Sequence, residues 1–167
     1  MKPLSLDATP RSLWQGELLH ICIAEQAGVE MEELERANLI ANVGIEGDRY
    51  SIAKGYYSYR PHADRQVTLI EFETLEALKR DHNIDLAPIE SRRNLTTRGV
   101  PLNHLVGRHF RIGDAVLYGG RLNVPCKYLE ELLDKPVFAP LINRSGLNCR
   151  IIEGGTIRRG DRIVPID

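Results

Sequence analysis

The sequence predicts a mainly β protein with a few short helices, whose strands form a closed or partly open β-barrel. The strand-like segments are short, they are numerous, and glycine turns separate most of them. Strands of this kind favour a barrel or a folded sheet. The predicted strands cover residues 16–24, 31–40, 65–72, 94–97, 109–112, 115–118, 147–152 and 162–166.

Alternation and turn residues support these strands in order along the chain. The alternation of residues between two faces is clearest in residues 65–72, where Val67 and Leu69 share one face. Several other strands look apolar on both faces. A Gly-Asp step precedes the strands at 115–118 and 162–166, which predicts a tight turn before each. Residues 48–64 follow no regular pattern and are predicted to form a long loop.

Two helices and one helical turn interrupt the strands. Residues 73–82 place Leu75 and Leu78 on one face, and residues 127–133 place Leu129, Leu132 and Leu133 on one face. Residues 102–106 are long enough for about one turn. The helix at 127–133 matters most, because Cys126 stands where it begins.

Composition limits the functional classes. A chain of 167 residues fits one domain, predicted to span 1–167, and a net charge of −1 gives no general attraction to nucleic acid or anionic lipid. Three cysteines are too few for a disulfide scaffold, so a cytoplasmic setting is expected. The N-terminus lacks the apolar run of a signal peptide, and no segment is apolar for the length of a membrane span.

Cys126 is the candidate reactive group. A thiol at the start of a helix, next to the ammonium of Lys127, is favoured as the thiolate, the form that binds metals and attacks electrophiles. The alternative is a small buried apolar residue.

Other polar residues form candidate binding groups. Arg92, Arg93 and Asn94 precede a strand and can clamp a phosphate or a carboxylate, although a solvated basic turn satisfied by Glu90 explains them too. Three tyrosines in the loop 48–64 can stack on a flat heterocycle. The sequence shows no zinc-ligand spacing, phosphate-binding loop, dinucleotide fingerprint or serine-hydrolase elbow. The three tyrosines in the loop 48–64 that can stack on a flat heterocycle are Tyr56, Tyr57 and Tyr59.

Six segments, taken in order, resemble the MOSC domain family, named for the C-terminal domain of molybdenum cofactor sulfurases, in its small stand-alone bacterial form. They are Gly44-Ile-Glu-Gly-Asp-Arg-Tyr, Arg65-Gln-Val-Thr-Leu-Ile-Glu, Arg92-Arg-Asn-Leu-Thr-Thr-Arg-Gly, Leu105-Val-Gly-Arg, Phe110-Arg-Ile-Gly-Asp and Pro125-Cys-Lys-Tyr-Leu-Glu. The likeness covers a core of about residues 16–164. It implies a barrel related to the pyruvate kinase barrel domain, which carries molybdenum cofactor, or sulfur destined for it, through one cysteine.

Carried onto this chain, the resemblance makes Cys126 the catalytic thiol and the molybdenum ligand. The phosphate of molybdopterin would be held by Arg92, Arg93 and Asn94. Further cations would come from Arg49, Arg65 and Lys127, and Tyr57 would lie against the pterin or a substrate.

The chain departs from the family pattern in two places. Asn123 stands where many small relatives have a second cysteine, and Pro61-His62-Ala63-Asp64 replaces the His-Gly-Gly stretch of some relatives that reduce N-hydroxylated bases. The first change excludes a CxxC redox pair, and the second weakens transfer of that substrate class. No pyridoxal phosphate domain fits in the chain beside the barrel, so a sulfur donor or electron-transfer protein would be separate.

Three functions are therefore carried forward. The first is molybdenum cofactor binding through Cys126, with redox chemistry or sulfur transfer. The second is a persulfide carrier without metal, and the third is a non-catalytic barrel that binds a small anion or a partner protein.

Overall fold

The computed structural model describes residues 11–166. The first ten residues, predicted to carry no signal peptide, lie outside this range. None of the helices in the described range is long and apolar enough to cross a bilayer.

Eleven strands and two α-helices are present in the described chain. In order they are β1 (Gly16–Ile23), β2 (Glu32–Leu34), β3 (Arg36–Ile40), β4 (Gly44–Ile45), β5 (Val67–Glu71), α1 (Phe72–His82), β6 (Leu95–Arg98), β7 (His109–Ile112), β8 (Ala115–Leu122), α2 (Lys127–Leu133), β9 (Leu147–Glu153), β10 (Gly155–Arg158) and β11 (Arg162–Pro165). Short 3₁₀ turns lie at Ala63–Arg65, Ile89–Ser91 and Leu102–Leu105. The predicted helices, the one-turn segment and the irregular loop are all observed.

Seven strands close into a barrel. Their hydrogen-bonded order is β11, β7, β8, β9, β5, β6 and β1, and β1 pairs back onto β11 through Gly16 and Glu17. Further along, β1 pairs with β2 instead, which makes β2 an appendage of the barrel. The predicted β-barrel is confirmed. Strands β5 and β6 run parallel because α1 connects them outside the barrel.

The barrel interior is apolar. Side chains of Leu18, Leu69, Phe110, Leu117 and Ile151 are fully buried in one cluster. A second apolar cluster packs α1 and α2 against the outer face of β5, through side chains such as Ile70, Leu78, Leu129 and Val137. The second cluster fixes where α2 begins, and so where Cys126 lies.

The predicted strand 31–40 is in fact two strands. A bend at Glu35 separates β2, which pairs with β1, from β3, which joins β10 and β4 in a separate three-stranded sheet. The pattern of apolar and polar residues does not change at the bend, so the sequence does not show where the chain leaves one sheet for the other. Only the pairing of the strands shows it. Strands β4 and β10 were not predicted.

Strand β8 is longer than the predicted 115–118. It continues through Gly119 and Gly120 to Leu122, with irregular register against β9. A Cβ on Gly119 would collide with the carbonyl oxygen of Leu105, and a Cβ on Gly120 would collide with the side chain of Asp64. The two glycines therefore do not end the strand; they let other segments approach both of its sides.

Candidate functional site

A cavity of about 320 Å³ surrounds Cys126. It lies between the loop 48–64, the turn before β6 and the segment that joins β8 to α2. Its walls are formed by Arg49, Tyr50, Tyr57, Arg65, Thr68, Arg92, Arg93, Arg121, Leu122, Asn123, Val124, Pro125, Cys126 and Asn148. A larger cavity of about 630 Å³, near Trp14, His104 and Val164, has no cysteine among its lining residues, so the smaller one is the candidate site.

Cys126 is the N-cap residue of α2, as the sequence predicts. Its backbone is extended (φ −132°, ψ 150°), and its side chain makes no capping hydrogen bond to the helix. The residue is half-buried and packs against the apolar cluster under α1 and α2. The sulfur is therefore held by packing while it faces a cavity rather than the helix backbone.

The phenol of Tyr57 contacts this thiol. Burial of the ring, followed by hydrogen bonding to the Cys126 side chain, raises the pKa of Tyr57 far above its ordinary value. A phenol that stays protonated is a hydrogen-bond donor, and Tyr57 lines the cavity beside Cys126.

The other two cysteines are unsuited to reaction. Both are fully buried in strands. Burial, followed by the charge of Glu33, raises the pKa of Cys22 to about 11. Burial also raises the pKa of Cys149 well above its ordinary value, and the nearby Asp64 adds to this shift. Desolvation therefore favours the neutral form of both thiols.

Arg93 lines the cavity, but it is buried and its nitrogens are bound within the protein. Its Nε donates to the carbonyl oxygen of Ser145 at 3.0 Å, and its terminal nitrogens donate to the Ser91 carbonyl and to the Oδ1 of Asn123 at 3.2 and 2.6 Å. Burial lowers its pKa to about 10, so it remains charged at neutral pH. Through Asn123 it fixes the segment that leads into Cys126.

Arg92 is equally buried but only partly paired. It adopts a left-handed backbone conformation (φ 58°) at the end of the 3₁₀ turn Ile89–Ser91. One terminal nitrogen donates to the Val29 carbonyl at 2.6 Å, while the other is buried without a partner among the described residues. Burial, then repulsion from Arg49, lowers the pKa of Arg92. Glu90 does not satisfy these arginines, because it pairs with Lys135 at 2.8 Å.

Two further predicted arginines line the cavity. Arg49 pairs with Asp48 at 2.9 Å and donates to the carbonyl oxygen of Arg92 at 3.0 Å. Arg65 donates to the carbonyl oxygen of Tyr57 at 3.0 Å, and its guanidinium lies 5.2 Å from the centre of the Tyr57 ring. Arg65 therefore holds Tyr57 in the position from which it reaches the thiol.

Arg121 also lines the cavity, and sequence reasoning missed it. It belongs to the part of β8 beyond Gly119 and Gly120, and its Nε is buried without a partner among the described residues. The apolar Leu122 that follows, in a stretch leading to Pro125, was the available signal that the strand continues. Tyr50, another lining residue, was not predicted either.

The sequence matches a known family. The family model for the MOSC domain matches residues 36–164, which is most of the chain. The chain belongs to the MOSC domain family. Comparison with curated protein sequences gives no significant match.

Solved structures agree with this assignment at the level of the fold. The MOSC chain is similar to the YUAD protein from Bacillus subtilis, with a TM-score of 0.75 and 18% identity over 90% of this chain and 97% of that one. It is also similar to YiiM from Geobacillus stearothermophilus (TM-score 0.70, 14% identity, 91% and 75% covered). YiiM from Escherichia coli gives a TM-score of 0.66 and 17% identity, with 90% and 70% covered.

Two residues expected at the MOSC site do not line the cavity. The Asn94 side chain is fully used inside the barrel wall: its Oδ1 accepts from the backbone N–H of Thr68 at 3.1 Å, and its Nδ2 donates to the Cys22 carbonyl at 3.1 Å. The Lys127 ammonium pairs with Glu130 at 2.9 Å on the exposed side of α2. Neither is available to the cavity in this arrangement.

The three tyrosines predicted to act in the loop 48–64 are only partly directed at the site. Tyr56 stacks on Tyr128 with ring centres 4.0 Å apart, and Tyr59 is 67% exposed. Only Tyr57 of the three predicted tyrosines lines the cavity, together with Tyr50. Space for a flat ligand is therefore bounded by two rings rather than three.

The described residues offer no cluster of three or more metal-ligating side chains. A metal held here would have Cys126 as its protein ligand and would depend on its own cofactor for the rest. The chemistry that the cavity offers is a thiol, a phenol donor and a surplus of guanidinium groups.

Proposed function

We propose that this MOSC domain binds molybdenum cofactor in the Cys126 cavity and serves in molybdenum-dependent redox chemistry or in sulfur transfer to the cofactor. One observation carries the proposal: a half-buried thiol shares a cavity with Arg92 and Arg121, each of which has a buried nitrogen with no partner in residues 11–166. Such nitrogens are costly unless a ligand accepts from them. The phosphate of a pterin cofactor is such a ligand.

The residues present fit this group. When bound, the cofactor would supply a redox-active, thiophilic metal, for which a soft thiolate is a suitable ligand. Cys126 would hold that metal or carry sulfur as a persulfide, and Tyr57 would donate to its sulfur. Arg49, Arg65, Arg92 and Arg121 would hold the anionic part of the cofactor.

Arg93 acts differently from the other arginines. Because its nitrogens are committed to Asn123, Ser145 and Ser91, it orders the segment before Cys126 instead of binding the ligand. Its role is that of a positioning residue.

The setting and partners belong to the same proposal. All three cysteines are free, which suits a reducing cytoplasm. A separate sulfur donor or electron-transfer protein would complete the reaction.

The test is the pterin and molybdenum content of protein purified from cells that make the cofactor. Oxidative release should give pterin fluorescence from the wild type, and Cys126→Ser should lose molybdenum while the guanidiniums retain part of the pterin. Pterin in neither preparation would contradict the proposal. A persulfide on Cys126 without pterin would replace it with the metal-free carrier.

A pair of charge variants makes the test specific. Arg121→Gln removes a cavity cation, whereas Arg36→Gln removes an exposed cation on β3 that does not line the cavity. We expect the first to lower the bound pterin about ten-fold, as for a charged hydrogen bond, and the second to leave it unchanged. Equal pterin content in both variants would contradict the assignment of the anion site.

A further inference from the structure

The cavity around Cys126 carries more positive charge than the described residues neutralise. Of the guanidiniums that line it, only that of Arg49 has a carboxylate partner within residues 11–166, which is Asp48. The other four have no carboxylate within ion-pairing distance in the described part of the chain, and nitrogens of Arg92 and Arg121 are buried without any partner. A ligand that carries more than one negative charge therefore matches the cavity best.

A surplus of this kind has a direct effect on a thiolate. Two unit charges of the same sign at 4 Å repel by about 1 kcal/mol in water, and by several times more in a partly dry site. A thiolate and a dianion therefore react slowly unless fixed cations lie beside both. The Cys126 cavity supplies these cations in advance, from strand β8 and from the loops and turns that line it.

We propose that Cys126 accepts sulfur directly from a sulfane-sulfur dianion of the thiosulfate class. In this step the thiolate of Cys126 attacks the outer sulfur of thiosulfate, the S–S bond of thiosulfate breaks, and its electron pair leaves with sulfite. A new S–S bond forms on Cys126, which becomes a persulfide anion. No proton and no external oxidant or reductant is required, because the outer sulfur is transferred without its bonding electron pair.

The chain's own groups have separate roles in this step. The guanidiniums of Arg92 and Arg121 hold the sulfonate oxygens, and they stabilise sulfite as it leaves. The Tyr57 phenol donates to the cysteine sulfur, which keeps it directed into the cavity. The persulfide is then discharged to an acceptor such as cyanide, which leaves as thiocyanate and restores the thiolate.

The geometry favours a small donor over a protein persulfide. Cys126 is half-buried in a cavity of about 320 Å³, enclosed by Tyr57 and the loop that carries it. A small anion enters such a space without movement of the walls. The activity uses the cavity of the proposed function but needs only its thiol and its cations, so it does not require bound pterin.

The test uses the full-length chain purified from cells that cannot make molybdenum cofactor. Incubation with thiosulfate should add the mass of one sulfur atom to the peptide that contains Cys126, with release of sulfite. With cyanide present, thiocyanate should form catalytically. Sulfate should inhibit in competition with thiosulfate, and chloride at the same ionic strength should inhibit less.

Matched variants separate binding from chemistry. Cys126→Ser should abolish both the mass increase and thiocyanate formation. Arg121→Gln should raise the KM for thiosulfate about ten-fold and leave kcat within about two-fold, because it removes one charged contact but not the nucleophile. Arg36→Gln, the exposed control, should behave as the wild type.

Two results would overturn the proposal. The first is the absence of added sulfur on Cys126 after the folded protein is exposed to thiosulfate. This result contradicts the proposal even if a desulfurase with cysteine can load the thiol. The other is the same KM for Arg121→Gln and Arg36→Gln. Both are independent of the pterin assay, so failure of this activity is distinguishable from failure of cofactor binding.

Discussion

The barrel interior and the Cys126 cavity lie on either side of the same strands, yet they are built from opposite materials. The interior is closed and apolar, and Phe110 and Leu117 are fully buried in it. The cavity is lined by five arginines, and the only one with a carboxylate partner is Arg49 in the described chain. The interior stabilises the fold through apolar burial, whereas the cavity opposes folding through buried, crowded charge.

The difference teaches which residues the fold requires. A stable barrel does not need unpartnered guanidiniums, and proteins keep such costly groups where a ligand uses them. Within the cavity itself, Arg92 and Arg93 are neighbours in the sequence with different tasks. Arg93 is hydrogen-bonded to several groups, whereas one nitrogen of Arg92 has no partner among the described residues.

The largest expected effect is in the interior. Phe110→Ala should lower the free energy of unfolding by about 3–5 kcal/mol, because it leaves a void in a closed barrel. Urea unfolding followed by circular dichroism measures it. Tyr59→Ala, at a residue 67% exposed, is the control and should change stability by less than about 0.5 kcal/mol. Similar losses in both variants would mean that the barrel interior is not the stabilising region.

The next effect distinguishes the two adjacent arginines. Arg93→Ala should cost about 2–4 kcal/mol, because it leaves the buried carbonyl oxygens of Ser145 and Ser91 without their donor. Arg92→Ala removes one hydrogen bond, to Val29, and should cost about 1 kcal/mol. Chemical denaturation of the two single variants provides the comparison. Equal losses of stability in the two variants would show that the two arginines are not divided into a structural residue and a ligand-binding residue.

A third effect concerns pH and a thiol in the barrel wall. Burial raises the pKa of Cys22 from 9.0 to about 11, so the unfolded chain loses this proton first as the pH rises. The contribution of the neutral thiol to stability is therefore complete below about pH 9 and declines between about pH 9 and 11. Cys22→Ala should make the stability less dependent on pH in that window. An unchanged slope in the variant would exclude Cys22 as the source.

The smallest effect has the opposite sign. Arg121→Met should leave stability unchanged or raise it by about 1 kcal/mol, because it removes an unpartnered buried Nε and one of several crowded charges. Sulfate should raise the Tm of the wild type more than that of the variant, since an anion bound only by the folded state stabilises it. Thermal melts with sulfate and with chloride at equal ionic strength make the measurement. A clear loss of stability in Arg121→Met would place Arg121 with Arg93 as a structural residue.

Local features of the fold were predictable from the sequence. The start of α2 at Cys126 follows from the apolar spacing of Leu129, Leu132 and Leu133, and the irregular loop follows from the lack of any period. The bend at Glu35 was not predictable, because only pairing partners distant in the chain divide β2 from β3.

The candidate site was predicted only in part, because it too depends on contacts between distant parts of the chain. Cys126 was chosen by its place at the start of a helix, and Arg49, Arg65 and Tyr57 by the resemblance to the MOSC family; the structure places all four at one cavity. Residue type does not reveal side-chain direction, so the internal hydrogen bonds of Asn94 were missed.

The hydrogen-bonded cluster around Asn123 was equally invisible in a single sequence. Arg121 was missed because Gly119 and Gly120 resemble the end of a strand. In the structure these glycines allow close approach, and the strand goes on.

Asn123 has a consequence for oxidative damage. Its amide holds Arg93 at the position where a CxxC pair would have its second thiol, and the two remaining cysteines are buried in strands. A sulfenic acid formed on Cys126 would therefore have no neighbouring thiol with which to close a protective disulfide. Its repair depends on a small thiol from solution, and without one it proceeds to irreversible sulfinic acid. The same amide that orders the site leaves it dependent on the cell's thiol pool.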